Sequence, residues 1–271
     1  MKSISYTAFC RPAYTTLSLG GITAARGSMP WRFFASVDGP MYPDLNTVLG
    51  HQVAEVRALF ERRYMGPPDV RFHRNNMGCN ANIRQAVQMA FDAGSDFNLH
   101  VEDDIVLSPD ALELATWFYN LPERDEYVCL NLFSDWKPEP GKELAMAEKF
   151  GFYPWGWACT RAMWEKYLAP EWDTKRFGPT GWDWSIGMTI QRHGLKVLRP
   201  YLSRALNIGR DMGLHMSREH WDENFSQQVV SEGGYWIGDI AHIAQRLPAD
   251  FREHPDQWYL DELKAEQEAA R

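Results

Sequence analysis

Four short runs rich in β-branched and aromatic residues, interleaved with helix-period segments, restrict this chain more than any other feature. The runs are ISYTAFC at 4–10, RFFASVD at 32–38, DVRFHRN at 69–75 and DFNLHVED at 96–103. Residues 46 to 64 place Leu49, Val53, Val56 and Phe60 on one helical face, and Ile83, Ala86, Val87, Ala90 and Phe91 mark another helix. Pro109 opens the next helix, with Ser108 as its N-cap. Asp38-Gly39-Pro40 and Asn76-Met77-Gly78 read as turns. A β-α-β-α-β-α-β series predicts an α/β fold with a largely parallel central sheet covered by helices.

The second half is less regular. YVCLNLF (127–133) reads as a strand and Lys137 to Gly141 as a proline-rich loop. The aromatic segment FGFYPWGWACT (150–160) leads into a helix from about Arg161 to Leu168. A second helix is predicted from Trp182 to His193, stopped by Gly194, followed by the short strand KVLRP. The tail after Pro255 reads as helical, polar and peripheral. No repeat or low-complexity linker divides the 271 residues, which fits one domain. With 45% hydrophobic and 14% aromatic residues, the chain buries a substantial core and is not generally disordered. Its twelve tryptophans serve core packing, or offer planar faces for stacking sugars or bases.

The formal net charge of −8 excludes a protein coated in non-specific nucleic-acid contacts. Charge is unevenly spread, however. Residues 175 to 218 hold eight basic residues (Lys175, Arg176, Arg192, Lys196, Arg199, Arg204, Arg210 and Arg218) against two acids, Asp183 and Asp211. Such a stretch beside an acidic cluster suits a site handling a metal-bound phosphate ester. The four cysteines, Cys10, Cys79, Cys129 and Cys159, show no CxxC or zinc spacing and read as reduced thiols in or near strands. There is no N-terminal signal and no long uncharged apolar run, so a cytoplasmic protein without a transmembrane segment is expected.

Ligands of open α/β sheets bind beyond the carboxyl ends of the strands. Arg11, Asp38 and the triplet Glu102, Asp103 and Asp104 all fall at such ends. Adjacent carboxylates repel, and a hard cation such as Mg²⁺ or Mn²⁺ relieves them through one or two carboxylates plus water and phosphate oxygens. The plainer reading is exposed acids near a turn. Asp38 is either a turn former or an acceptor for a ribose hydroxyl or base edge. Arg11 either contacts the same nucleotide or makes a surface ion pair. In GPTGWDWSIG (178–187), Asp183 sits in the first turn of a helix between Trp182 and Trp184. It either complements the helix dipole or, partly desolvated by the two rings, acts as a general base. His215 in MGLHMS reads as a metal ligand, a phosphate contact or a buried side chain. YPWGW (153–157) is a sugar-site wall or aromatic core.

From about Ser5 to Met216 the chain resembles the GT-A-fold glycosyltransferases, most closely the N-acetylglucosaminyltransferase I family (family 13). The resemblance is carried by AFCRP, SVDGP and VEDDIVLSPDA, then FYPWGWACTRAMWEKYLAPEW, GWDWSIGMTIQRHG and VLRPYLSRALNIG. It implies a metal-dependent inverting transferase moving GlcNAc, glucose or a related hexose from a UDP-sugar to an acceptor hydroxyl. Arg11 and Asp38 match positions that hold the uridine, Asp103 a nucleotide-contacting acid and Glu102 an acid near the donor sugar. Asp104 matches the acid that binds Mn²⁺ (or Mg²⁺), with His215 as a further candidate ligand. Asp183 matches the catalytic base, and Trp182 and Asn82 fall at donor-side positions. Residues 1–110 are then a nucleotide-binding half, 111–220 an acceptor and catalytic half, and 221–271 a C-terminal extension. Departures are Trp184 where the family has a second acid, Asn82 where it has histidine, Leu214 where it has serine, and no counterpart of the membrane anchor and stem. The acceptor thus stays open between a glycan or glycolipid headgroup and a hydroxylated base in nucleic acid, the latter hinted at by the basic stretch. No obligate protein partner is evident. The rival expectations are a nucleotide-sugar hydrolase or pyrophosphorylase, and a non-catalytic carbohydrate-binding protein on the same scaffold.

Overall fold

The structure is a computed structural model that describes residues 1–25, 30–41, 47–61, 69–135, 140–173, 181–211 and 217–233. Its elements run β1 (Lys2–Ala8), α1 (Pro12–Ala25), β2 (Arg32–Val37), α2 (Val48–Glu61), β3 (Asp69–Phe72), α3 (Cys79–Asp92) and β4 (Phe97–Glu102). They continue with β5 (Ile105–Leu107), α4 (Ala111–Asn120), β6 (Tyr127–Asn131), β7 (Met146–Lys149), β8 (Trp157–Thr160) and α5 (Arg161–Met163), which passes into a π-helical turn at Trp164–Leu168. α6 (Trp182–His193), β9 (Lys196–Pro200), β10 (Ala205–Asn207) and α7 (Arg218–Asn224) complete them. The tail after Pro255 lies outside the described residues.

Eight strands form one sheet in the order β3-β2-β1-β4-β8-β6-β9-β7. The first four are mutually parallel, as the alternation of strand and helix predicts. The second half is mixed instead: β8 is antiparallel to both β4 and β6, β6 and β9 are parallel, and β7 is antiparallel to β9. The expected largely parallel sheet therefore holds for half of it. Among the described residues no helix lies between β6 and β7 or between β7 and β8, and both β7 and β8 run opposite to β6. β7 and β8 are buried on both faces, so no polar alternation marked them as strands.

Side chains of one strand alternate between the two faces. Ile4, Tyr6, Leu99 and Val101 pack with Leu19, Ile22, Phe60 and Phe118 of α1, α2 and α4. Trp157 and Cys159 pack on the other face with Ile83, Val87 and Phe91 of α3 and with Trp164, Trp172, Trp182 and Ile190. Trp155 and Trp157 are both buried, so the two tryptophans of the 153–157 run are aromatic core rather than a sugar-site wall.

The helix expected from Pro109 with Ser108 as its cap begins later. Ile105–Leu107 pairs antiparallel with Ala205–Asn207, and α4 starts at Ala111 with Asp110 in the capping position. Ser108 Oγ donates to Asp110 Oδ1 at 2.6 Å, and Arg204 Nε and Ser231 Oγ donate to Asp110 Oδ2 at 3.1 and 2.9 Å. The β-branched Ile105 and Val106 pair with β10, and the buried Arg204–Asp110 contact fixes where the helix begins. Ser231 thereby docks residues beyond 220 onto the body. Among the described residues, no helix is long and apolar enough to cross a membrane.

Candidate active site

Register sets the site. Ala8 pairs with Val37 and Thr7 with Glu102, so β1, β2 and β4 end at the same edge of the sheet. Arg11, Asp38 and the 102–104 triplet emerge there together. Arg11 Nη1 donates to Asp104 Oδ2 at 2.8 Å and Nη2 donates to Asp103 Oδ1, while Phe9 N donates to Asp103 Oδ2 at 3.3 Å. Arg11 is thus locked between two acids of the triplet rather than lying loose on the surface. Burial disfavours its charge, but Asp103 and Asp104 more than offset that and raise its pKa. Among the described residues, the Glu102 carboxylate receives a distant contact from Cys79 Sγ at 3.9 Å. Burial first, and the field of Asp104 second, hold its carboxyl well above its ordinary value, with Asp183 adding to the shift. Burial likewise raises the Cys79 thiol, with further contributions from Glu102, Asp104 and Asp183. Asp183, from the other half of the chain, therefore shares this electrostatic environment.

Asp38 is 3% exposed and its acceptor capacity is spent inside the protein. Oδ1 accepts from Gly39 N at 2.8 Å and Met77 N at 2.7 Å; Oδ2 accepts from Asn76 Nδ2 at 2.9 Å and Gly78 N at 3.2 Å. A carboxylate offers about four lone-pair sites, so a nucleotide would have to displace one of these donors. Asp38 is first the organiser of the loop before α3. Gly78, at φ 84°, occupies the left-handed region there, which lets its amide reach Asp38 without a Cβ penalty.

Two expected donor contacts point elsewhere. Asn82 is buried, accepting from Ser36 Oγ at 2.6 Å and donating to Ser36 O at 3.3 Å, and so staples α3 to β2. Trp182 is 4% exposed and stacks on Trp172 with ring centres 5.3 Å apart and planes 11° apart. Its large apolar face is better buried there than in a cleft. Asp183 follows it in the first turn of α6, and its carboxylate folds back over Gly181 so closely that a Cβ at 181 would collide with it. Asn80 was missed by sequence reading. Its Oδ1 accepts from Trp182 N at 3.2 Å, and its main-chain oxygen accepts from Trp172 Nε1 at 2.9 Å. The available signal was the cluster of asparagines flanking Gly78, read only as a turn.

His215, the second expected metal ligand, lies outside the described residues, as do Lys175 and Arg176. The other six bases of the 175–218 stretch are each ion-paired. Arg192 meets Glu171, Lys196 meets Glu148, Arg199 meets Asp135, Arg204 meets Asp110, Arg210 meets Asp222, and Arg218 meets Asp211. Arg199 and Arg204 are both 1% exposed. Arg199 and Arg204 are therefore internal cross-links, while Arg192, Lys196, Arg210 and Arg218 pair with acids at the surface.

The carboxylates fit a hard divalent cation in chemistry and in charge. Three carboxylates lie in the field of the Arg11 guanidinium, and burial first and Asp104 second raise Glu102. Among the described residues no three metal-ligating side chains converge into a closed cage. That suits a cation held by a carboxylate, water and a diphosphate. The loop of Ile208 and Gly209 covers Asp104 from β10, with Ile208 N donating to Asp104 O at 2.8 Å. Beyond it opens a pocket of about 340 Å³, lined by Tyr14, Ile208, Trp221 and Phe225 among others.

No protein-family model and no curated protein sequence matches the chain. Solved structures do. The chain superposes on S. aureus TarS residues 1–349 with a TM-score of 0.51 and 12% identity, covering 90% of this chain and 69% of that one. The same fragment in complex with UDP-GlcNAc gives 0.50 and 11%, covering 90% and 70%. A longer S. aureus TarS structure gives 0.50 and 10%, covering 84% of this chain and 44% of that one. The fold is the GT-A fold of nucleotide-diphospho-sugar transferases, a large mixed sheet flanked by helices.

Proposed function

We propose that this chain is a metal-dependent inverting glycosyltransferase that moves GlcNAc, glucose or a related hexose from a UDP-sugar to an acceptor hydroxyl. The observation that carries the reading is the carboxylate cluster at the shared ends of β1 and β4, where Arg11 pairs with both Asp103 and Asp104 beside Glu102, and where Asp183 contributes to raising Glu102. The motifs favour the N-acetylglucosaminyltransferase I family within the wider fold group, and the TarS complex with UDP-GlcNAc makes that donor the first to try.

In this reading Asp183 accepts the proton of the acceptor hydroxyl at a carboxylate oxygen as the acceptor oxygen bonds to the anomeric carbon. The bond from that carbon to the UDP oxygen breaks in the same displacement, which inverts the centre. Asp103 orients Arg11 at the donor edge, and Glu102 stands nearest the sugar. Asp104, with His215 as a second candidate, would hold Mn²⁺ or Mg²⁺, which when bound offsets charge on the diphosphate leaving group. Residues 1–110 would then serve the nucleotide, residues 111–220 the acceptor and the chemistry, and the chain would act in the cytoplasm without an obligate partner. A glycan is favoured as acceptor over a nucleic-acid base, because every described base of the 175–218 stretch is already paired.

UDP-sugars screened for Mn²⁺-dependent thermal stabilisation, then for transfer to glycan acceptors, test this directly. UDP should raise the melting temperature with Mn²⁺ and much less without it, and Asp104→Ala should abolish the difference. Equal UDP binding by Asp104→Ala with and without Mn²⁺ would overturn the metal assignment. Sugar release that no acceptor can redirect would make the protein a hydrolase instead.

A further inference from the structure

Five consecutive residues leading into α3 touch three separate parts of the site. Asn76, Met77 and Gly78 hold Asp38; Cys79 lies against Glu102; Asn80 reaches across to α6. The last contact answers a local deficiency. A helix start leaves its first amides without partners, and Gly181, in the capping position of α6, has no side chain to supply one. Asn80 Oδ1 takes the amide of Trp182 instead, a cap supplied from another helix. The main-chain oxygen of Asn80 simultaneously takes the indole of Trp172, on which the Trp182 ring stacks. Asn80 is 7% exposed, so water cannot easily substitute for it. It grips both members of the stack and the peptide immediately before Asp183.

We infer that Asn80 is a positioning residue for Asp183, fixing the first turn of α6 and with it the carboxylate that follows Trp182. The inference rests on reading Asp183 as the base of the proposed transfer. A general base works only within hydrogen-bond reach of its proton, so loss of the tether should cost turnover without costing donor affinity.

The test combines amide hydrogen exchange, UDP affinity in the presence of Mn²⁺, and transfer kinetics on one set of variants. In Asn80→Ala the amides at the start of α6 should exchange roughly five-fold faster, the effect of losing one helix cap. UDP affinity should be unchanged, while kcat falls by about 10²-fold, the cost of a ~1 Å misplacement. Asn80→Asp, which keeps the accepting oxygen, should recover most of the rate. If Asn80→Ala does not fold, Asn80→Leu provides a side chain of similar size without the acceptor. Normal kcat in a folded variant that lacks the acceptor overturns the role while leaving the proposed function standing, as does a loss confined to donor affinity. A wild-type protein that transfers sugar from no UDP-sugar overturns the function, and this role with it.

Discussion

Asp183 carries two physical readings that one substitution separates. It stands in the first turn of α6, where a negative charge complements the helix dipole for ~0.3–1 kcal/mol. It also lies near enough to Glu102 and Cys79 to raise both. Asp183→Asn keeps size and polarity, so the fold should survive. As a base, its loss should leave UDP binding nearly intact and lower transfer by on the order of 10²–10⁴-fold. As a helix-start charge alone, it should lower the melting temperature slightly and leave turnover near normal. Measuring both on the same protein decides. Retained turnover would make Glu102 the next carboxylate to substitute. Arg11 is less easily probed: it is half-buried against two carboxylates, and its removal would leave them uncompensated, a change that destabilises broadly.

The β5–β10 ribbon and the loop that follows it hold the triplet in place. Leu107 pairs with Ala205 and Ile105 with Asn207, so the chain leaving Asp104 is clamped immediately. The returning loop then lays Gly209 on the carboxylate: a Cβ there would stand 2.5 Å from Asp104 Oδ2 and 3.1 Å from Asn207 Oδ1. Only glycine permits that approach without moving an acid. Gly209→Ala should therefore displace Asp104 and weaken Mn²⁺-dependent UDP binding by about tenfold, at the lower end of what overpacking costs. Calorimetry of UDP with and without Mn²⁺ checks this. Binding equal to that of the wild-type protein would show that the loop can lift away and that Asp104 is not held by it.

Between β1 and β4 the sheet contains a polar ladder that bears on the stability of the entire chain. Ser3 Oγ donates to Asn98 Oδ1 at 2.9 Å, Asn98 Nδ2 donates to Ser5 Oγ at 2.8 Å, and Ser5 Oγ meets His100 Nδ1 at 3.0 Å. His100 is fully buried beside the rings of Trp157 and Trp182, and burial lowers its pKa to about 3. Unfolded, it would bind a proton below its ordinary value of about 6.5. Between those two values the unfolded chain holds the proton and the folded one does not, so stability is lost as pH falls. Each pH unit in that window costs roughly 1.4 kcal/mol from this residue. Urea unfolding from pH 7 to pH 4 should show that slope, and His100→Asn should flatten it by about one proton's worth. An unchanged slope in the variant would mean that His100 is protonated in the folded protein.

The parallel half of the sheet was legible because strands and helices there alternate in distinct periods, and each strand end carries its own turn. Topology alone then placed Arg11, Asp38 and the triplet at one edge, since parallel neighbours end together. β7 and β8 were not legible, because doubly buried strands lack the polar alternation that marks an edge or a face. The destinations of individual side chains were not legible either. Asn82 turned to Ser36, Trp182 to Trp172, and the arginines of the basic stretch to acids distant in sequence. Each of those choices depends on a partner brought up by another element. The sequence by itself determined which acids reach the edge of the sheet. Only the tertiary structure decided that Asp38 is already saturated and that Asn80 caps the helix that carries Asp183, because hydrogen bonding and burial are settled by neighbours in space.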